Sequence, residues 1–211
     1  MNDPIVPWAL ADEAPERPMR SDSKRNRDAV VDAVLSLHRD GNLQPSSTEV
    51  AERAGISPRS LFRYFVDIDD LSRAAVSRQL ERVRPLLAID VPPTAPVADR
   101  VAALAQSRAH VFEAMGPSGT AARVRAPFQP VIAAQLTQAR RFFRQQIERL
   151  FASELHALDP ARAVAILSAV DVLCSYESYQ LLRHDHGLSE PDVVASLTAA
   201  ITQLIAAPPV E

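Results

Sequence analysis

Hydrophobic and polar positions follow the three-to-four-residue period of amphipathic α-helices from Ser21 onward. The first predicted helix begins at Ser21 and ends at Asp40-Gly41, with apolar positions at Val30, Val31, Val34, Leu35 and Leu37. Further helices are predicted over residues 97–115, 130–155, 160–184 and 190–206, with only a short helix between Pro117 and Pro130. No segment shows the strict alternation of a half-buried strand, so the expected fold class is all-α.

The segment after the first helix contains the signals of a helix-turn-helix. Ser46 and Glu49 have the spacing of a capping box, which predicts a short helix to about Ala54. Gly55 suits a left-handed stop, and Ala51 is the small residue that lets a second helix pack across the first. This geometry would let the second helix enter the major groove of DNA while the first crosses the backbone.

The second helix of this motif has its own start signals. Ser57 suits the N-cap and Pro58 the first helical position, and the helix is predicted to run to about Phe65. We therefore expect an N-terminal three-helix domain over residues 21–66, with the helix-turn-helix at about 46–65. A larger helical domain for ligand sensing and dimerisation is expected to follow it.

The stretch SSTEVAERAGISPRSLFRYFVDIDDL, residues 46–71, resembles the DNA-binding domain of the TetR family of transcriptional regulators. The stretch SYESYQLLRHDHGLS, residues 175–189, also resembles the junction between the two dimerising helices of that family. The resemblance implies a homodimer through helices 160–184 and 190–206 that binds double-stranded DNA at a pseudo-palindromic operator. It also implies a repressor that responds to a small-molecule effector.

Nine residues are candidate DNA contacts. Arg59 lies in the first turn of the second helix, where a guanidinium can pair with guanine O6 and N7. Hydroxyls and amides at helix N-termini and basic residues on the first helix suit phosphate, and the resemblance implies a phosphate contact for Tyr64. The candidates are Lys24, Arg25, Arg27, Thr48, Ser57, Arg59, Ser60, Arg63 and Tyr64.

Two residues depart from the pattern of the family. Phe62 stands where the family usually has Tyr, and Ile68 stands where it usually has Lys, so one hydroxyl and one charge are absent. Acidic residues also nearly balance the basic ones over residues 21–66. Fewer neutralised phosphates predict weaker DNA binding with a shallower salt dependence.

Composition limits the other classes of function. The chain has 211 residues, a formal net charge of −3 and one cysteine, so overall charge gives no support to DNA binding and an internal disulfide is excluded. No signal peptide or membrane-spanning stretch is visible, which predicts a cytoplasmic protein without a membrane partner. Residues 1–20 are rich in proline and lack periodicity, so we expect a disordered arm there.

The expected effector-binding and dimerisation domain covers residues 67–211. Arg108 falls on an apolar helix face and Asp171 on another, so we expect either an internal ion pair between them or recognition of a polar ligand group. Apolar residues nearby in the pattern could line a cavity, although ordinary core packing would give the same pattern. The candidate ligand residues are Arg108, Phe112, Met115, Phe128, Phe143, Asp171 and Cys174.

No residue pattern predicts catalysis, a cofactor or a metal. Ser/His/Asp and Cys/His constellations are absent from the sequence pattern, so the chain is not expected to be an enzyme. His184 and His186 are better suited to a solvated helix C-terminus than to a chelate. The alternative hypotheses are a helical ligand carrier and a protein-interaction module, each with a vestigial helix-turn-helix.

Overall fold

The computed structural model describes residues 21–206 and the side chains from Ser23 onward. This part of the chain contains ten α-helices and no strand, as the all-α prediction required. The helices are α1 Ser21–Arg39, α2 Ser47–Arg53, α3 Pro58–Leu61, α4 Ile68–Val83, α5 Val97–Arg125, α6 Pro130–Leu150, α7 Ala152–His156, α8 Pro160–Leu173, α9 Tyr176–Gln180 and α10 Glu190–Ala206. The arm predicted over residues 1–20 lies outside the described residues.

The predicted caps form around α2. The amide of Glu49 donates to Ser46 Oγ over 3.3 Å, and the Ser46 amide donates to Glu49 Oε2 over 2.8 Å, which completes the capping box. Gly55 has φ 69°, and the Ile56 amide donates to the Ala51 carbonyl over 3.0 Å. Together with the Gly55 amide bond to Glu52, this is a Schellman turn, which only a left-handed residue closes without strain.

The second helix of the motif, α3, is shorter than the sequence predicts. Regular α3 ends at Leu61, and the chain continues to Phe65 as turns rather than as helix. Amide bonds from Arg63 to Ser60 and from Tyr64 to Leu61 tighten this stretch to three-residue spacing. Leu61 and Phe65 are buried on either side of these turns, so the packing of the turns replaces the missing helical bonds.

Two compact units divide the chain differently from the boundary predicted at residue 66. The first unit combines the chain up to Pro85 with residues Met115–Gln138, and the second combines Leu86–Ala114 with the chain from Ala139. Helix α4 joins the first unit because Leu71 and Ala75 are buried in the same core cluster as α1 to α3. The local sequence predicts where α4 begins, but it does not show which helices α4 packs against.

The predicted break between residues 115 and 117 is present inside α5. Gly116 has φ 48° and ψ −148°, a combination open only to glycine at ordinary cost, and Pro117 follows it. Residues before the break belong to the second unit, and residues from Met115 onward belong to the first. The predicted helix over 97–115 and the short helix after Pro117 are therefore both confirmed.

The prediction of one helix over residues 160–184 is wrong. Helix α8 ends at Leu173, and Ser175 is extended (φ −85°, ψ 159°), so that it caps α9 by accepting a bond from the Ser178 amide over 3.1 Å. A π-helical turn at Leu181–Asp185 then follows. A serine hydroxyl competes with the backbone for hydrogen bonds, and here it interrupts a helix whose apolar period continues.

The prediction of one helix over 130–155 also fails at one point, because Phe151 has φ −115° and separates α6 from α7. The last helix, α10, begins at Glu190 after Ser189 accepts a bond from the Asp192 amide over 3.3 Å, as predicted. In the described part of the chain, none of the helices combines the length and apolar character that crossing a membrane needs.

Candidate DNA-binding surface

The candidate DNA-contacting surface of the motif is the exposed side of α3 and of the turns that follow it. Arg59 and Arg63 are exposed, while Leu61 between them is fully buried in the core of the first unit. No ion pair among the described residues includes Arg59 or Arg63. Within the described residues neither guanidinium has a carboxylate partner, and a guanidinium can donate two parallel hydrogen bonds to a carboxylate, a phosphate or guanine.

Acidic residues of the first unit pair with arginines elsewhere. Asp28 and Asp32 on α1 accept from Arg78 on α4, and Asp32 also accepts from Arg82 over 2.8 Å. Asp40 pairs with Arg53 over 2.7 Å. These carboxylates, which balance basic residues in the sequence, therefore do not lie on the exposed face of α3. They are held at the α1–α4 contact and at the end of α2.

Some hydroxyl groups around the motif cap a helix, and others have hydrogen-bonding capacity left for a further contact. Ser57 Oγ accepts from the Ser60 amide over 3.2 Å and lies 2.9 Å from Ser60 Oγ, so both predicted contacts also cap α3. Tyr64 Oη accepts from Asn26 Nδ2 over 3.0 Å and retains its own proton for a second bond. Thr48 is exposed in the first turn of α2.

An internal carboxylate already occupies the N-terminus of α2. Glu49 accepts from the Ser46 hydroxyl over 2.7 Å, from the Ser46 amide over 2.8 Å and from Asn42 Nδ2 over 2.9 Å. The bonds from Ser46 lower the pKa of Glu49 and keep it ionised. A phosphate approaching Thr48 would meet this negative charge, which makes the N-terminus of α3 the better phosphate position of the two.

The basic residues at the start of α1 differ in exposure. Lys24 and Arg25 are exposed, whereas Arg27 is half-buried with its guanidinium 4.9 Å from the centre of the Phe65 ring. This cation–π contact holds Phe65 against α1 and stabilises the turns that follow α3. Arg27 therefore has a packing role that the sequence pattern did not indicate.

The two departures from the family pattern have different surroundings. The Phe62 ring is 50 % exposed beside Arg63, an unusual setting for a large apolar side chain, whereas Ile68 is partly buried and packs against the core of the first unit. The Phe62 ring, in contrast, offers an apolar surface beside the exposed arginines.

The candidate ligand residues of the second unit centre on Arg108. Its side chain is fully buried, Nη1 donates to Gln146 Oε1 over 3.0 Å, and Nη2 donates to the Phe143 carbonyl over 3.2 Å. Its carbon Cζ lies 4.5 Å from the centre of the Phe143 ring. The Nε donor has no hydrogen-bond partner.

The expected ion pair between Arg108 and Asp171 is not formed. Asp171 accepts instead from Arg144 Nη1 over 3.3 Å and reaches Arg108 only through its field. Burial lowers the pKa of Arg108 to about 10, so the guanidinium is still charged at neutral pH. A helix-face pattern cannot separate Arg108 from Arg144 as the partner of Asp171, because it does not show which side chains of α5 and α6 approach α8.

Aromatic side chains surround the same place. The Phe112 ring lies 5.7 Å from the rings of Phe143 and Tyr176 and 5.8 Å from that of Tyr179. Burial raises the pKa of Cys174 to about 11, so its thiol is neutral. These rings pack around Phe112, and Phe143 connects this aromatic group to the Arg108 guanidinium.

Two candidate ligand residues lie in the other compact unit. Met115 and Phe128 both belong to the first unit, and Phe128 is 82 % exposed there. Gln146 and Tyr179 were missed from the sequence, although each touches or flanks the Arg108 group. Gln146 is a polar residue on an apolar face of α6, and this exception to the pattern is the sequence signal that could have identified it.

No three His, Cys, Asp or Glu side chains within residues 21–206 are grouped so that they could hold a metal ion. The described residues contain a helix-turn-helix with exposed arginines on its second helix and on the turns after it, and further helices follow it along the chain.

The fold is similar to that of several proteins of known structure. A protein described as a TetR-family transcriptional regulator from Rhodococcus sp. is 20 % identical, with a TM-score of 0.60 over 86 % of this chain and 100 % of that one. A transcriptional regulator from Rhodococcus sp. Rha1 is 16 % identical, with a TM-score of 0.63 over 88 % and 96 % of the two chains. The multidrug-binding protein EbrR, solved with imidazole, is 21 % identical, with a TM-score of 0.54 over 88 % and 97 %.

These likenesses establish that the chain has the all-α fold of TetR-type regulators. No protein-family model matches the sequence, and a search of the curated proteins finds no match. The fold is therefore known from structure, while function has to be argued from the side chains.

Proposed function

We propose that the protein is a DNA-binding transcriptional regulator that acts as a homodimer, represses transcription and responds to a small-molecule effector. The observation that supports DNA binding best is the pair Arg59 on α3 and Arg63 on the turns that follow it, which are exposed without an ion-pair partner among the described residues. Base reading is assigned to these two arginines. Phosphate contacts are assigned to Lys24, Arg25 and the Tyr64 hydroxyl, with support from Ser57 and Ser60.

Dimerisation is proposed through α8 to α10. Val164 and Val172 on α8 are 60 % and 65 % exposed, and Leu181 is 46 % exposed, although the sequence around them is apolar. Val164 and Val172 are eight residues apart and so lie on the same side of α8, which suits a helix–helix contact with a second copy. A two-fold axis through this contact would present two α3 helices to half-sites about 34–36 Å apart, one turn of DNA.

The effector is proposed to bind in the second unit around Arg108, Phe112, Phe143, Asp171 and Cys174. Effector binding would then shift the population of dimers toward one whose α3 spacing does not match the operator. Repression as the sign of regulation rests on the resemblance of residues 46–71 to TetR-family sequences.

The test is selection of bound sequences from random duplex DNA with the full chain, followed by affinity measurements on the selected site. We expect a pseudo-palindrome in which Arg59→Ala or Arg63→Ala relaxes specificity at one base pair per half-site and weakens binding. Loss of one bidentate contact removes about 1–3 kcal/mol of discrimination. Arg82→Ala is the matched control, since Arg82 is about equally exposed but paired with Asp32.

The outcomes separate the classes of function. Retention of operator binding by Arg82→Ala and its loss in the α3 variants would support the regulator. No enrichment from the random DNA at low salt, by a folded dimer, would refute it and favour a ligand carrier or an interaction module. A monomer in sedimentation at micromolar concentration would refute the dimer.

A further inference from the structure

Two buried arginines on α5 have opposite environments. Arg100 is 3 % exposed, and its guanidinium donates to both oxygens of Glu154 and to the carbonyls of Ala95 and Leu150. Arg108, two turns further along, is fully buried and has only neutral acceptors, Gln146 Oε1 and the Phe143 carbonyl. One arginine is therefore fully paired within the chain, and the other is not.

The unpaired state of Arg108 is physically costly. A buried charge without a carboxylate partner loses several kcal/mol of hydration that neutral acceptors replace only in part. The Nε–H group of Arg108 is in addition a buried donor with no acceptor at all. Structural arginines normally avoid this arrangement, as Arg100 does with Glu154.

The charges around Arg108 also fail to balance. Arg108 and Arg144 contribute two positive charges, and Asp171, which pairs with Arg144 over 3.3 Å, contributes one negative charge. Cys174 is a neutral thiol, because burial raises its pKa to about 11. Arg144 and Asp171 are about one-third exposed and pair with each other, so the buried guanidinium of Arg108 is the charge left without a counter-ion of its own.

We propose that the effector of this protein carries a carboxylate on an apolar, aromatic-sized body, with the carboxylate bound to the Nε edge of Arg108 and the body packed among Phe112, Phe143 and Tyr176. The identification rests on the proposed effector response and goes beyond it by naming the ligand class. A single carboxylate supplies the missing unit of charge and accepts from Nε and an adjacent terminal nitrogen. A phosphate dianion would bring twice the charge that the cluster lacks.

The aromatic shell determines the rest of the ligand. The rings of Phe143 and Tyr176 lie edge to face with Phe112 at 5.7 Å and that of Tyr179 is tilted against it at 5.8 Å, so this group presents apolar edges and faces but few polar groups. A ligand pocket of this type fixes orientation by one polar contact and gains affinity from apolar burial. Hydrophilic acids such as sugar acids would leave their hydroxyls without partners in this shell.

The experiment measures binding of matched pairs of probes to the full-length protein by calorimetry and thermal shift. The pairs are 2-naphthoate with 2-naphthamide and octanoate with octanamide, so that each pair differs in charge but not in shape. We expect the carboxylate of at least one pair to bind on the order of 10- to 100-fold more tightly than its amide, as expected for one charge-assisted contact. Arg108→Met should remove this preference, and Arg108→Lys should restore part of it.

Two arginine variants serve as controls. Arg140→Met removes an exposed arginine that pairs with Glu177 at the surface, and it should leave the preference unchanged. Arg100→Met should lower the free energy of unfolding, whereas Arg108→Met should leave it unchanged or raise it, because a buried charge without a carboxylate is replaced by an apolar chain of similar length.

The results that would overturn the proposal are specific. They are equal binding of carboxylate and amide in both pairs, a preference that survives in Arg108→Met, or destabilisation by Arg108→Met as large as that by Arg100→Met. Operator affinity of the ligand-free protein, measured in parallel, tests the regulator independently. Carboxylate binding that leaves operator affinity unchanged would keep the site and refute only its regulatory role.

Discussion

Replacement of Arg100 by Met should destabilise the second unit by about 3 kcal/mol. Arg100 Nη2 and Nη1 donate to Glu154 over 2.5 and 2.9 Å, and Nη1 and Nε donate to the carbonyls of Leu150 and Ala95 over 2.6 and 2.8 Å. Breaking a buried pair by removing one partner costs about 3–5 kcal/mol. The lower end applies because Glu154 is 23 % exposed and can turn toward water.

The assay is urea denaturation at neutral pH followed by circular dichroism, with Glu154→Gln as the companion variant. Glu154→Gln keeps the shape and the carbonyl acceptor, so we expect a loss of about 1–2 kcal/mol, typical of weakening a charge-assisted bond to a neutral one. A loss below about 1 kcal/mol for Arg100→Met would refute the assigned strength of the pair, since that is the median value of an exposed salt bridge.

The same pair has an acid signature. The hydrogen bonds from Arg100 lower the pKa of Glu154 from 4.5 to about 2. A carboxyl whose folded pKa is depressed stabilises the fold above its unfolded pKa, and this contribution is lost as the pH falls from about 4.5 to about 2. In Arg100→Met this loss between pH 4.5 and 2 should shrink, which a pH series of denaturation curves would show.

Three further predictions concern the first unit. Gly55→Ala should cost about 1–2 kcal/mol of stability in urea denaturation, because φ is 69° but no atom lies within 4 Å of the added Cβ; a larger loss would mean that a clash, not strain, is responsible. Phe62→Tyr should raise operator affinity several-fold in gel-shift titration without changing stability, because the ring is 50 % exposed and its new hydroxyl can reach phosphate; unchanged affinity would mean that position 62 does not face DNA. His38→Leu should flatten the decline of stability as the pH falls from 6.5 to 4, since burial lowers the pKa of His38 to about 4 and the fold loses about 3 kcal/mol over this range as protonation comes to favour the unfolded state. An identical pH profile for the variant and the parent would contradict this role.

The helix-turn-helix could be predicted from local sequence because local bonds determine it. The cap hydrogen bonds around Ser46, Glu49 and Gly55 each span three to five residues, and each residue forms the cap that its type and position indicate. The end of α3 was mispredicted for the same reason. Its last turns are held by burial of Leu61 and Phe65 in a core that α1 and α4 complete, and a local pattern does not contain this contact.

The break between α8 and α9 shows a second limit of sequence patterns. Apolar periodicity continues through Cys174 and Tyr176, so the hydrophobic signal predicts an uninterrupted helix. The Ser175 hydroxyl accepts from the Ser178 amide, and the Ser178 hydroxyl donates to the Val172 carbonyl over 2.6 Å, which stabilises the interruption. Serine occurs inside helices and at caps, and only the surrounding packing decides between these roles.

The two arginines on α5 show why a candidate effector site needs a structure. Sequence places Arg100 and Arg108 on the same helix, and nothing in their type or spacing indicates that one finds a carboxylate and the other does not. The difference depends on Glu154, fifty-four residues away from Arg100, and on the engagement of Asp171 by Arg144. A buried cation without a counter-ion lowers the stability of the ligand-free protein, and an anion that binds the folded state regains it in proportion to RT ln(1 + [L]/Kd). Effector affinity and stabilisation by the effector should therefore have the same origin, and Arg108→Met should lose both. Without ligand, this variant should be about as stable as the parent protein is with ligand bound.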